Sequence, residues 1–250
     1  MLIKNLTKFY GNKKVVDNVN LEIPEGKVIS FIGPNGAGKS TVMNMISRLI
    51  KVSEGEIIFK NRDLKDWKSK ELAKNLAILT QSNNINMKLT VRELVSFGRF
   101  PYSGGHLTKE DIEMINKAIS YMELESMENK FIDELSGGQR QRAYIAMIIA
   151  QDTDYVLFDE PTNNLDIYHS INTMKIARKL CYELGKTIIL VLHDINYAAF
   201  YSDYICIFKN GKISEFGEVK DVIKPEILSE IYNVDFSIYD MNGKPFSIYY

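Results

Sequence analysis

A glycine-rich run near the amino terminus has the residue types and the spacing of a phosphate-binding loop. It reads Gly33, Pro34, Asn35, Gly36, Ala37, Gly38, Lys39, Ser40 and Thr41. Glycines let backbone amides converge on phosphate oxygens, and a helix that begins near Lys39 would direct its positive end at the same anion. In such loops the lysine reaches the β- and γ-phosphates and the serine ligates magnesium. The run therefore predicts a nucleoside triphosphate site with Mg²⁺.

Two adjacent acids, Asp159 and Glu160, follow the apolar run 155–158. A buried strand would fix both carboxylates at its carboxyl end, where ligands bind in parallel sheets. We expect Asp159 to hold magnesium, directly or through water, and Glu160 to polarise an attacking water as general base. A strand that ends in a polar turn would explain the pair by itself. Beside the phosphate loop, the pair predicts hydrolysis.

A second segment with the features of an anion site is Leu135, Ser136, Gly137, Gly138 and Gln139, which opens an amphipathic helix. A helix amino terminus with closely spaced backbone amides can bind phosphate. A simple helix cap would also explain Ser136 and the two glycines. Two sites of phosphate type in one chain require a further explanation.

The elements that must position these residues alternate between strands and helices. Strand patterns lie at 2–9, 15–23, 28–32, 55–60, 76–80, 155–158 and 187–192, and a hairpin spans 203–216. Helix patterns lie at 39–50, 90–98, 109–125, 137–150 and 167–184. This alternation predicts an α/β fold with a mainly parallel sheet, into which a helical lobe is inserted. The tail beyond Val219 has no clear pattern.

Composition narrows the possible partners. The formal net charge is −1, which does not favour nonspecific binding of nucleic acid, so we expect no nucleic-acid partner. The longest apolar runs, 146–150 and 187–192, are far shorter than the roughly 20 residues that span a bilayer. If the protein serves a membrane, we expect another chain to supply the membrane part.

In their order along the chain, these motifs make the sequence resemble the nucleotide-binding subunit of ATP-binding-cassette (ABC) transporters. The resemblance implies a P-loop NTPase core with a β-rich amino-terminal subdomain and an inserted helical subdomain. It also implies that residues 1–250 form a single cassette domain. Residues 1–83 and 151–250 would form the α/β core, and residues 84–150 the helical subdomain. The implied ligands are ATP and Mg²⁺.

The resemblance gives roles to residues that are uninformative by themselves. Tyr10 matches the aromatic residue that stacks on adenine. Gln81 matches the residue that touches magnesium and water and links the site to the membrane partner. His193, which follows the strand pattern 187–192, matches the residue that contacts the γ-phosphate and positions Glu160.

The family also implies a head-to-tail dimer, in which the Ser136 helix of one copy closes on ATP held by the phosphate loop of the other. Asp166 matches a loop that crosses the dimer interface; we call residues 163–166 the seam loop. Many family members have a serine or a similarly small residue before the Leu-Asp of this loop, whereas this chain has Asn163 and Asn164. His106 and His169 lie outside the motifs, and we expect both at the surface.

The stretch 90–102 resembles the segment that importers of ferric siderophores, haem and cobalamin carry after the glutamine loop. This favours the motor of an iron–siderophore importer at the cytoplasmic face of the membrane. Its partners would be permease subunits and, indirectly, a substrate-binding protein. A separate-chain exporter motor and the cassette ATPase of iron–sulfur assembly remain open. The transported substrate is not encoded in this chain.

Overall fold

The computed structural model describes residues 1–80 and 87–249. The strands are β1 (Leu2–Tyr10), β2 (Lys13–Glu22), β3 (Val28–Ile32), β4 (Glu54–Phe59), β5 (Arg62–Asp63), β6 (Leu76–Leu79), β7 (Tyr155–Asp159), β8 (Thr187–Val191), β9 (Tyr204–Lys209), β10 (Lys212–Glu218), β11 (Phe236–Met241) and β12 (Lys244–Tyr249). The helices are α1 (Lys39–Ile46), α2 (Ser69–Leu72), α3 (Val91–Phe97), α4 (Phe100–Ser103), α5 (Lys109–Tyr121), α6 (Gly137–Gln151), α7 (Ile167–Leu184), α8 (Ile195–Tyr201), α9 (Val219–Val222) and α10 (Pro225–Tyr232).

The central sheet has the strand order β10-β9-β3-β8-β7-β6. All neighbours pair in parallel except β9 and β10, which form the expected hairpin. Every residue of β3, β7 and β8 is buried, as expected for mainly apolar strands in the middle of a parallel sheet. Since β3, β8 and β7 are adjacent, the segments that follow them meet at one edge of the sheet. The α/β class and the parallel sheet are confirmed.

A second, antiparallel sheet of order β2-β1-β4-β5 forms the β-rich amino-terminal part. Its apolar side chains and those of α1 share a hydrophobic core with one face of the central sheet, including Phe31 and Phe208. The phosphate-loop helix therefore lies between two sheets.

Helices α3 to α6 lie between β6 and β7 in the chain. A buried ion pair joins them, because Nε of Arg99 contacts Oδ1 of Asp111 at 2.8 Å and Nη1 donates to the carbonyl oxygen of Ala150 at 2.9 Å. Burial alone would raise the pKa of Asp111, but hydrogen bonds from Thr108 and Arg99 hold it below its usual value. Removing one partner of such a pair typically costs about 3–5 kcal/mol, so Arg99 fixes α5 against α6.

Two helices are shorter than their sequence patterns. The first ends at Ile46 and not at residue 50, because Arg48 adopts a left-handed φ of 60°. The helix that begins at Lys109 ends at Tyr121 and not at residue 125, with Glu123 at φ 55°. The tail, which the sequence left unassigned, forms α10 and the hairpin β11-β12, and Asn196 of α8 bonds both backbone polar groups of Ser247. Within the described residues, no helix is long and apolar enough to cross a bilayer.

Candidate functional site

The glycine-rich run forms the loop between β3 and α1. Gly33 has φ 137°, and a Cβ atom there would overlap the carbonyl oxygen of Phe208 in β9. Only glycine combines that backbone conformation with that close approach. The loop can therefore turn directly above the sheet, with its exposed part at Asn35 and Gly36.

Lys39 begins α1 and is only 5% exposed. Its Nζ atom donates to the carbonyl oxygens of Gly33 and Pro34, at 2.7 and 3.0 Å. Burial lowers the pKa of Lys39, and the nearby charges of Glu160 and Asp159 oppose that shift. The ammonium group is thus held across the loop, close to two carboxylates.

Ser40 and Asp159 form a pair of oxygen donors at the end of β7. The Ser40 hydroxyl donates to Oδ1 of Asp159 at 2.9 Å. Burial raises the pKa of Asp159, and the charge of Glu160 adds to this, whereas the bond from Ser40 opposes it. A hydroxyl and a carboxylate are the hard ligands that Mg²⁺ prefers, so the donor set fits this ion.

Glu160 and His193 meet because β7 and β8 are neighbours in register, with Asp159 opposite Val191. Nε2 of His193 lies 2.7 Å from Oε1 of Glu160, and the Glu160 amide donates to the carbonyl oxygen of Val191 at 3.2 Å. Glu160 has φ 53°, a left-handed conformation that costs a non-glycine residue about 1–3 kcal/mol. Such strain concentrates at functional sites, where the surrounding contacts hold it.

Asn163 contributes a contact that sequence reasoning missed. Its Nδ2 atom donates to Oε2 of Glu160 at 3.0 Å, so both carboxylate oxygens of Glu160 have a partner, the other being His193. The available signal was the position of Asn163, three residues after Glu160, where the sequence departs from the family pattern. A serine there would be too short to make the same contact.

A cleft of about 460 Å³ is lined by Val15, residues 35–41, Glu160 and His193. Asp159 adjoins this lining, because its Oδ1 accepts from the Ser40 hydroxyl. Tyr10 lies outside that lining; its ring is half-exposed, with Nζ of Lys8 5.2 Å from the ring centre. Gln81 lies outside the described residues. The structure thus brings together most of the predicted site residues but does not join Tyr10 to them.

Residues 136–139 also lie outside the lining of this cleft. Ser136 caps α6 by accepting from the amide of Gln139 at 3.3 Å, and the Ser136 amide donates to Oε1 of Gln139 at 3.0 Å. Ser136 and Gly137 are exposed, whereas Gly138 is buried. The second anion site predicted from the sequence is therefore an open helix terminus, separate from the phosphate loop.

The two remaining histidines differ in how exposed their side chains are. His106 is exposed, as expected. The expected surface position of His169 is wrong in part, because its side chain is only 34% exposed and its ring packs against Gly138. Its amide donates to Oδ1 of Asp166, the residue that caps α7.

The chain is similar to a known protein family and to several known proteins. The family model described as ABC transporter matches residues 16–163. Over 99% of its length the chain is 51% identical to the petrobactin import ATP-binding protein YclP of Bacillus subtilis (strain 168), and it covers 98% of that protein. It is 38% identical to the iron(3+)-hydroxamate import ATP-binding protein FhuC of the same organism, covering 92% of this chain and 86% of that one.

A solved structure extends the match to the fold. It is a dimeric ATP-binding cassette in a post-hydrolysis state, bound to ADP and phosphate. The TM-score is 0.76 at 35% identity, and the match covers 87% of this chain and 98% of that chain.

Proposed function

This chain belongs to the ABC transporter family as an ATP-hydrolysing subunit, and from that premise we propose how its residues divide the work of one import motor. The observation that carries the proposal is the separation of two phosphate-type sites. Lys39, Ser40, Asp159 and Glu160 are close together, whereas the helix terminus at Ser136 lies outside their cleft. A complete site then requires a second copy.

In the proposed hydrolysis, Glu160 accepts a proton from the water that attacks the γ-phosphate. His193 and Asn163 hold the carboxylate of Glu160 from both sides, and a remaining lone pair of Glu160 accepts the proton of that water. Lys39 leaves the loop carbonyls and binds the β- and γ-phosphates, which are stronger acceptors because they are charged. Ser40, Asp159 and Gln81 would hold Mg²⁺, which would supply positive charge to neutralise these phosphates. Tyr10 stacks on the adenine.

The second copy supplies Ser136, Gly137, Gly138 and Gln139, which reach the ATP bound by the first copy. Ser136 can donate its hydroxyl proton to phosphate while its oxygen still caps the helix. The seam loop with Asp166 approaches the same nucleotide. Two head-to-tail copies then bind two ATP molecules, and hydrolysis separates them.

A composite site predicts that specific ATPase activity of the isolated subunit rises with protein concentration, because dimers form by mass action. Ser136→Arg should bind ATP yet fail to dimerise, since its bulk would enter the phosphate contact. Steady-state hydrolysis over a wide dilution range, with nucleotide titration and size-exclusion chromatography, measures all three quantities.

Ser136→Asp is the variant matched to Ser136→Arg, and it tests the same contact by charge instead of bulk. Aspartate caps helices as well as serine does, so α6 stays intact while the added charge repels phosphate. Both variants should therefore behave alike. Specific activity that does not change on dilution would contradict the composite site and indicate a self-sufficient one.

For the membrane side, we propose that residues 84–150 form the helical lobe and that the segment from Gln81 to about Gly105 docks on permease subunits at the cytoplasmic face. Phe97 and Phe100 expose large apolar side chains there, next to the buried Arg99. Exposed aromatic residues on a rigid support suit a protein interface. A substrate-binding protein would act on the other side of the membrane, without contact to this chain.

We propose an iron–siderophore complex as the transported substrate. The stretch 90–102 supports this, as do relatives that are named for import of petrobactin and of iron(3+)-hydroxamate. The cassette does not touch the substrate, so no residue of the ATP cleft can select it. An exporter motor and an iron–sulfur assembly ATPase are the alternatives that growth experiments would separate.

Phe100→Asp should spare the ATPase activity of the free subunit and abolish growth on iron held by a single siderophore. Phe100 is 58% exposed, so the charge disturbs little inside the subunit but disrupts an apolar contact with the permease. A deletion strain is complemented with wild type or variant and grown on one iron source at a time, petrobactin first.

Tyr239→Asp is the control, since Tyr239 is 56% exposed and lies on the carboxyl-terminal hairpin. It should complement fully. A deletion strain that uses every iron source normally but loses another nutrient, or a drug-resistance phenotype, would contradict the siderophore proposal and leave the ATPase unaffected.

A further inference from the structure

The two adjacent glycines at the start of α6 need separate explanations. Neither has a left-handed φ, so backbone conformation does not require glycine at either position. Glycine is a poorer helix former than alanine, and two in the first turn weaken the helix. What surrounds each position must therefore explain its identity.

Those surroundings differ. A Cβ atom on Gly137 would meet no atom within 4 Å, and Gly137 is exposed. A Cβ atom on Gly138 would overlap the His169 imidazole, with Cγ only 2.5 Å away. The absent side chain of Gly137 thus leaves space for a group from outside the subunit. The absent side chain of Gly138 leaves space for the His169 ring of the same subunit.

We propose that His169 is a positioning residue that fixes the signature helix α6 on the first turn of α7. Gly138 is glycine because the His169 ring occupies the volume of its side chain. Residues 136–139, which we call the signature residues, and the seam loop then approach a partner's nucleotide as one rigid body. This inference rests on the composite site proposed above.

Two further hydrogen bonds support the contact between His169 and the start of α6. The His169 amide donates to Oδ1 of Asp166 at 2.8 Å, which ties the ring's own residue to the seam loop. Nε2 of Gln141, one turn after Gly138, donates to the carbonyl oxygen of Pro161 at 3.2 Å. The start of α6 is therefore held at two points, by the His169 ring at the start of α7 and by the Pro161 carbonyl oxygen in the turn after β7.

Such support matters because the signature helix binds phosphate through its terminus. A displacement of about 1 Å at such a contact can cost a hundredfold in rate. A positioned terminus also loses less entropy on association. The cost of losing His169 should therefore appear in dimerisation, and not in nucleotide binding by the free subunit.

The test is a double-mutant cycle between Gly138→Ala and His169→Ala, measured as the dimer dissociation constant with ATP in the Glu160→Gln background. Gly138→Ala should raise that constant about tenfold when His169 is present and less than about twofold in the His169→Ala background. ATP binding by the monomer should not change. In the protein that keeps Glu160, the protein concentration needed for half-maximal ATPase activity should rise in parallel with that dissociation constant.

Gly137→Ala is the matched control, because its effect on dimerisation should be the same with and without His169→Ala. Melting temperatures of all variants separate misfolding from misplacement. Equal effects of Gly138→Ala in both backgrounds, or changes confined to the melting temperature, would overturn the inference while leaving the composite site in place. If Glu160→Gln alone forms no dimer with ATP, the composite site fails, and the inference fails with it.

Discussion

Glu160→Gln is expected to slow ATP hydrolysis by about a hundredfold or more, the usual contribution of a general base, and to leave ATP binding intact. Glutamine has the shape of glutamate and can keep contacts with His193 and Asn163, but its amide cannot take a proton from water. The strained backbone at φ 53° is unchanged by the substitution. Because bound ATP persists, the dimer should accumulate.

The measurement combines steady-state hydrolysis with size-exclusion chromatography in magnesium-ATP and in magnesium-ADP. Glu215→Gln, which alters an exposed carboxylate on β10, serves as control and should behave as wild type. A Glu160→Gln protein that hydrolyses normally, or that stays monomeric with ATP bound, would be incompatible with the proposed roles.

Lys39→Ala should abolish measurable hydrolysis and weaken nucleotide binding by about ten- to a hundredfold. Hydrogen bonds to charged groups contribute about 1.5–3 kcal/mol each, and Lys39 is the charged group that we propose binds the β- and γ-phosphates. Nucleotide titration and a turnover assay measure the two effects.

Lys39 is also buried against the loop, so its removal could act through folding. Lys39→Met separates the loss of the phosphate contact from an effect on folding, because methionine keeps most of the packing and lacks the charge. Equal losses in both variants, with melting temperatures near wild type, would identify the ammonium group as the cause. Near-normal turnover in either variant would exclude the role given to Lys39.

Much of the fold and of the candidate cleft could be predicted because the required information is local. The phosphate loop is contiguous, and the apolar runs before it and before Asp159 identify buried strands. General rules for parallel sheets place ligands at the carboxyl ends of such strands, whereas the order β3-β8-β7 came only from the structure. Helix ends were less predictable, since α1 ends at Ile46 because of the left-handed backbone of Arg48.

Contacts between distant residues were not predictable. The carboxyl-terminal hairpin docks on α8 through Asn196 and Ser247, 51 positions apart, and neither residue has a sequence feature that marks it. The hydrogen bond from Asn163 to Glu160 depends on the turn after β7. Gln81 keeps its role only as a proposal.

The sequence by itself determined the class of protein, since phosphate chemistry requires glycines, a lysine and carboxylates at fixed spacing. Only the tertiary structure decided which of these residues share a cleft and which remain outside it. It separated Ser136 from Lys39, and it placed His169 in the volume that Gly138 leaves free. The physical reason is that side-chain packing depends on how helices and strands from distant parts of the chain come together, whereas motif chemistry depends on neighbours along it.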